Sequence, residues 1–124
     1  MGKRALVIED NDDNMELITY ILEVNGFQTI RAASGRDGLE RARADTPDFV
    51  LLDIQLPDMD GTEVLAALRN SPATRDLPII AVTSYAMSGD RERLLRAGCT
   101  GYIEKPIDPE RVMEQIGRLL AQQP

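Results

Sequence analysis

Five short aliphatic runs, each bounded by Gly, Pro, Asn or Asp, constrain the fold of this chain more than any other feature. They are Ala5 to Ile8, Phe27 to Ile30, Phe49 to Leu52, Ile79 to Val82 and the weaker pair Tyr102-Ile103. Continuous apolar stretches of this length, rich in β-branched residues, read as strands buried on both faces. Between them lie segments with apolar residues at helical spacing: Met15, Ile18, Ile21 and Leu22 in the first, Val64, Leu65 and Leu68 in the third, Val112, Ile116, Leu119 and Leu120 in the last. The second and fourth segments have poorer stripes, Gly38 to Ala44 being rich in Ala and Arg, and Ser88 to Ala97 offering Leu94, Leu95 and Ala97. Ser34 with Asp37 fits a capping box before the second helix, and Asp108-Pro109 supplies a cap and a first-turn proline for the fifth. Gly26 and Gly98 stand where the first and fourth helices should stop. A β-α unit repeated five times with short connections requires right-handed parallel crossovers, so an α/β (βα)5 doubly wound parallel sheet in a three-layer sandwich is expected. The runs are too short and too β-branched to be the helices of an all-α bundle.

The 124 residues make a single domain, 1–124, long enough to bury a core without covalent staples. A net charge of −7 opposes adsorption to nucleic acid or anionic lipid, so neither nucleic acid nor membrane is an expected partner. The absence of histidine excludes His-based acid-base catalysis, Ser/His triads and Zn–His sites. Cys99 is the only cysteine, and the apolar stretch at the N-terminus is too short for a signal peptide or membrane span. A reducing cytoplasm fits best, and the initiating Met close to the first run favours a complete chain.

Ligands of open parallel sheets bind beyond the carboxyl ends of the strands, so the residues just after each run are the ones to read. They are Glu9-Asp10-Asn11-Asp12-Asp13 after the first, Asp53 after the third, Thr83-Ser84 after the fourth and Glu104-Lys105-Pro106 after the fifth. Asp12 and Asp13 are expected as cap and first-turn residues, where the helix dipole favours acids. Glu9 and Asp10 should instead point into the crevice beside Asp53. Three carboxylates in one crevice repel, and each unit of resulting pKa rise costs about 1.4 kcal/mol unless a cation intervenes. Oxygen-only ligands select Mg2+ or Mn2+, and a carboxylate set that leaves room for water suits Mg2+ with a phosphate donor. Lys105, one of only two lysines, brings the opposite charge to the same edge; a cis Lys105-Pro106 bond would turn its ammonium inward. The Thr83 hydroxyl, set opposite Asp53, could donate to a phosphoryl oxygen.

The strings Val-Ile-Glu-Asp-Asn, Leu-Leu-Asp-Ile-Gln-Leu-Pro-Asp-Met-Asp-Gly, Ala-Val-Thr-Ser-Tyr-Ala-Met and Tyr-Ile-Glu-Lys-Pro-Ile closely resemble the receiver domain of two-component response regulators, over nearly the whole chain. The resemblance implies a flavodoxin-like strand order 2-1-3-4-5. It implies that Asp53 is the phosphorylated residue, that Glu9 and Asp10 are the acidic pair with Asp10 a direct Mg2+ ligand, and that Gln55 offers its backbone carbonyl to the metal. Thr83 and Lys105 would contact the phosphoryl group, and Tyr102 would be the aromatic switch residue. Pro57 and Gly61 match the loop that follows the phosphoacceptor. Gln55 and Tyr85 correspond to positions that tune self-dephosphorylation, in keeping with a bulky ring that obstructs an in-line water and an amide that can hold one. Glu9 stands where the family more often has Asp, and Ser84 where Ala is commoner.

The implied function is a phosphoacceptor switch in a phosphorelay that catalyses its own aspartyl phosphorylation and slow dephosphorylation. Its partners would be a sensor histidine kinase or histidine phosphotransfer protein and a downstream protein target, the chain being a monomer or weak dimer. The length resembles single-domain regulators; receivers excised from hybrid kinases are the other match. An aspartyl-nucleophile Mg2+ phosphatase would need a second Asp where Gln55 stands, and an FMN protein would need a phosphate loop where Glu9 to Asp13 place carboxylates. A pseudo-receiver that only docks partners is the remaining alternative.

Overall fold

Strand periodicity divides the core of the molecule in two. The computed structural model describes residues 3–84 and 88–121. Its strands are β1 (Arg4–Ile8), β2 (Gln28–Ala32), β3 (Phe49–Asp53), β4 (Ile79–Thr83) and β5 (Gly101–Glu104). They alternate with helices α1 (Asp12–Val24), α2 (Gly35–Asp45), α3 (Gly61–Arg69), α4 (Ser88–Ala97) and α5 (Val112–Ala121). All the strands are parallel, in the order β2-β1-β3-β4-β5, as expected. Successive side chains on a strand point to opposite faces. Leu6, Ile8, Val50, Leu52, Ile79 and Ala81 accordingly pack with Val64, Leu65, Leu68 and Leu94 on one side of the sheet. Ala5, Val7, Phe49, Leu51, Ile80, Val82 and Ile103 pack with Met15, Ile18, Leu22, Val112 and Ile116 on the other. At about 1.5–3 kcal/mol for each fully buried aliphatic side chain, these two layers supply most of the drive to fold.

The helix boundaries follow their caps. Asn11 caps α1, its side chain accepting from the Asn14 N–H at 2.9 Å, so Asp12 and Asp13 fall in the first turn. Ser34 caps α2 through the Asp37 N–H at 3.1 Å, and Asp60 caps α3 through the Thr62 N–H at 2.8 Å. Gly26 and Gly98 hold positive φ angles of 91° and 109° where α1 and α4 end. The fifth helix starts later than expected: Asp108 accepts from the Glu110 N–H at 2.9 Å, but 109–111 form a turn and regular helix begins at Val112. Arg69, at the end of α3, donates to the carbonyls of Gly98 (2.8 Å), Arg75 (3.0 Å) and Leu77 (2.6 Å), tying the approach to β4 to the end of α4. No helix among the described residues is long and apolar enough to cross a membrane.

Candidate functional site

The same two-residue period that sorts the core also selects the site. Val7 pairs with Leu51 in the β1–β3 register, so extending both strands by two residues carries Glu9 and Asp53 out on the α1/α5 side. Ile103 faces that side too, and Lys105 follows it by two. The structure joins them: Lys105 Nζ lies 3.1 Å from Asp53 Oδ2 and 3.7 Å from Glu9 Oε1. Asp53 and Glu9 are each only 2% exposed. The backbone holds both carboxylates from the other side, with the Gln55 N–H donating to Asp53 Oδ1 at 2.9 Å and the Asn11 N–H to Glu9 Oε2 at 3.1 Å. The Lys105–Pro106 peptide bond is cis, and the Lys105 N–H donates to the Thr83 carbonyl at 2.8 Å, which ties the end of β5 to β4.

One ammonium facing three acids leaves negative charge in excess. Glu9, Asp10 and Asp53 each bring a carboxylate oxygen within 4.8 Å of the other two. Burial pushes the Glu9 carboxyl up to about 7; the Asn11 N–H works against this, as does Lys105 more weakly, while neighbouring Asp53 adds to the rise. Glu9 Oε1 is buried and, among the described residues, accepts no hydrogen bond. A hard divalent cation satisfies all of this together, since it supplies a partner for the orphaned oxygen and charge for the cluster. Asp10 is exposed, which leaves the cluster open to solvent on one side. The residues present therefore fit Mg2+ chemistry.

The other residues singled out from the sequence lie around this cleft. Thr83 ends β4, buried at 2% exposure, and Ser84 beyond it is exposed. Thr83 and Tyr102 fall on the α4 side of the sheet, since Tyr102 pairs with Ala81 and the strand period carries Thr83 to the same face. Tyr102 is half-buried, with the Arg91 guanidinium 5.2 Å from its ring centroid. Gln55 is exposed and opens the loop that Pro57 and Gly61 shape. In that loop Gly61 donates to the Ile54 carbonyl at 2.9 Å, and a Cβ at Gly61 would meet Ile54 Cα at 2.5 Å, so no larger residue fits. Tyr85 lies outside the described residues. Beside Lys105 a cavity of about 390 Å³ is lined by Asn14, Leu17, Ser84, Pro106 and Ile107.

Three contributions escape a reading of strand ends alone. Asn11 both caps α1 and donates its N–H to Glu9; an Asn immediately before a helical stripe is a signal for that. Asp60, followed by Thr62 and Glu63, carries a visible helix-start pattern. Asp58 accepts from the backbone N–H groups of Gly35 at 2.8 Å and Arg36 at 3.0 Å, more than twenty residues away, and no local pattern announces that. Those two donors hold the Asp58 carboxyl below the usual range.

Known proteins fall into the same group. The response regulator receiver domain family matches residues 5–117. The polar-differentiation response regulator DivK of Brucella ovis is 45% identical over 116 residues, which cover 94% of each chain. The receiver domain of the sensor histidine kinase PA1611 from Pseudomonas aeruginosa, solved with a magnesium ion coordinated in its active-site cleft, is 31% identical with a TM-score of 0.88, over 98% of this chain and 100% of that one. The chemotaxis response regulator CheY4 of Vibrio cholerae shares the fold at a TM-score of 0.92 and 24% identity, over 96% of this chain and 99% of that one. With its strand order, its acidic cluster and these relatives, the chain belongs to the receiver domain family of two-component response regulators.

Proposed function

We propose that the chain acts as one receiver domain, a phosphoacceptor switch in which Asp53 takes a phosphoryl group from a phospho-histidine on a sensor kinase or histidine phosphotransfer protein. The observation that carries this reading is the buried Asp53 carboxylate gripped by the Lys105 ammonium at 3.1 Å and flanked by two further acids. An Asp53 oxygen attacks phosphorus, the P–N bond to the partner's imidazole breaks with its electron pair returning to the imidazole, and an acyl phosphate forms. Such a transfer needs alignment and neutralisation of charge more than covalent help. The Gln55 N–H orients Asp53 through Oδ1, Lys105 compensates charge on the phosphoryl oxygens, and Thr83 donates its hydroxyl to one of them. Glu9, Asp10 and Asp53 would hold Mg2+, with the Gln55 carbonyl as a further ligand, and the ion when bound offsets the charge of the transferred group. Gln55 and Tyr85 guard the line of approach for the water that later removes the phosphate.

Phosphorylation adds about −1.5 to −2 charge, which draws Thr83 toward Asp53. Tyr102, on the same side of the sheet, fills the space left behind, and the surface of α4, β5 and α5 changes for a downstream protein. Only a differential free energy shifts such an equilibrium, so the unphosphorylated chain visits the switched state at low population. The reading places a monomer or weak dimer in the cytoplasm.

Intact mass after incubation with acetyl phosphate and Mg2+, alongside Asp53→Asn, tests the reading. A single phosphate-sized gain that the variant lacks is the expected result. No gain, with partner binding intact, would leave a docking module; a gain that persists in Asp53→Asn would move the site elsewhere.

A further inference from the structure

The loop 55–60 leaves β3 at the acidic cluster and returns at α3. Its two ends are pinned, Gln55 bridging to Asp60 in antiparallel fashion and Gly61 donating to the Ile54 carbonyl. Between the ends, Leu56 and Met59 rest against the core, a contact without directional preference. Asp58 gives the middle of the loop a directional hold. Its two carboxylate oxygens take the N–H groups of Gly35 and Arg36, the first two donors of α2. Ser34 takes the Asp37 N–H through its hydroxyl and closes the first helical turn by accepting the Gly38 N–H on its carbonyl, so the free donors of Gly35, Arg36 and Asp37 are all satisfied. A carboxylate at a helix N-terminus also meets the positive end of the helix dipole. The fit is close: a Cβ at Gly35 would meet Met59 Cγ at 2.5 Å. Helix α2 is itself fixed to β1, because a Cβ at Gly38 would collide with the buried Ile8 side chain.

We propose that Asp58 is a positioning residue for the metal cleft, latching loop 55–60 to the start of α2 so that Gln55 is held in place beside Asp53. The proposal rests on the reading of the cluster as a Mg2+ site. It makes the N-terminus of α2, which bears none of the acidic cluster, a structural support for that site. Removing hydrogen-bonding partners behind metal ligands typically weakens metal affinity about 10- to 100-fold. Asp58 is exposed and acts through backbone rather than through a ligand side chain, so about 3- to 10-fold is expected from Asp58→Ala.

The test compares Asp58→Ala, Asp58→Asn and Ser34→Ala with wild type by Mg2+ titration followed through amide NMR shifts, and by hydrogen exchange of loop 55–60 in EDTA. Asp58→Ala should weaken Mg2+ binding by the stated factor and speed exchange in the loop. Asp58→Asn loses the charge and one of the two acceptor oxygens, so it should fall between wild type and Asp58→Ala in both readouts. Ser34→Ala removes a cap from the same helix without touching the loop and should leave Mg2+ affinity unchanged. The proposal is overturned if Asp58→Ala binds and exchanges like wild type, if Asp58→Asn loses as much affinity as Asp58→Ala, which would mark a field effect, or if Ser34→Ala loses as much, which would mark general loosening of α2. Wild-type protein that binds no Mg2+ would overturn the metal-site reading and the proposal with it, whereas normal wild-type binding that Asp58→Ala leaves unchanged would overturn the latch alone. Should Asp58→Ala fail to fold, Asp58→Asn against Ser34→Ala still decides through exchange in EDTA: faster loop exchange in Asp58→Asn only supports the latch, and equal exchange overturns it.

Discussion

Glu9→Gln should remove a part of the stability that is lost as pH rises. The folded protein keeps the Glu9 proton up to about pH 7, whereas the unfolded chain releases it near the ordinary value of 4.5. Between those values the folded state binds more protons, so this carboxyl makes the folded state progressively less stable as pH rises, and the loss is complete above the folded value. At 1.36 kcal/mol per unit the gap corresponds to about 3 kcal/mol. Because Asp10 leaves one side of the cleft open to water, roughly 2 kcal/mol is the working figure after solvent screening. A chain of this size loses about 4 °C in Tm per kcal/mol, so the wild-type Tm in EDTA should fall by roughly 8 °C from this group alone over the window. Glu9→Gln keeps the side-chain shape and removes the titration. Circular dichroism melts across the window in EDTA should therefore show the variant gaining on wild type as pH rises, by about that amount. Saturating Mg2+ should flatten the wild-type profile, since a bound cation favours the ionised carboxyl. Parallel wild-type and variant profiles in EDTA would refute the claim that burial of Glu9 imposes this cost.

Other expectations concern the same cleft and its loop. Asp10→Asn should abolish stabilisation by Mg2+, which is about 2.7 kcal/mol at one hundred times the dissociation constant, and should raise the Tm in EDTA by relieving repulsion; identical Mg2+ responses in thermal melts would count against the cluster. Lys105→Ala removes the ammonium from beside a buried Asp53 and should lower stability in EDTA by about 2 kcal/mol, with Mg2+ recovering much of the loss in urea titrations. Gly61→Ala drives a methyl group into the Ile54 backbone, which cannot swing aside as a side chain can, and should cost about 1–3 kcal/mol by urea denaturation at any Mg2+ concentration.

Much of the architecture was legible because strand period and helix period are local. The runs from Ala5, Phe49 and Ile79 became strands with at most one residue added at either end, and the stripe Met15, Ile18, Ile21, Leu22 is buried as read. The second strand shifted to Gln28–Ala32, because Phe27 turns down to pack on the core while Arg31 remains in the ladder and reaches Glu16 at 2.6 Å. The late start of α5 has a similar origin, Asp108 capping a turn before the helix proper. Within the site, the gathering of Glu9, Asp10, Asp53 and Lys105 could be anticipated from strand ends. The 3.1 Å contact could not, since it depends on register across three strands. Glu9's deep burial was equally hidden, because a carboxylate reads as solvent-seeking until its surroundings are known. The Asp58 contact joins segments whose proximity exists only in the folded chain.

The division of the interior by the sheet has an evolutionary consequence. The acids and the ammonium rest on the layer built from Ala5, Val7, Met15 and Val82, while Tyr102 rests on the layer that contains Leu68, Ala81 and Leu94. Substitutions in one layer need not disturb the other, as side chains on opposite faces of a strand share only backbone. Descendants of one ancestral sequence can therefore change residues of the second layer, Thr83 at the edge of the cleft excepted, while the carboxylates and the ammonium on the first keep their places.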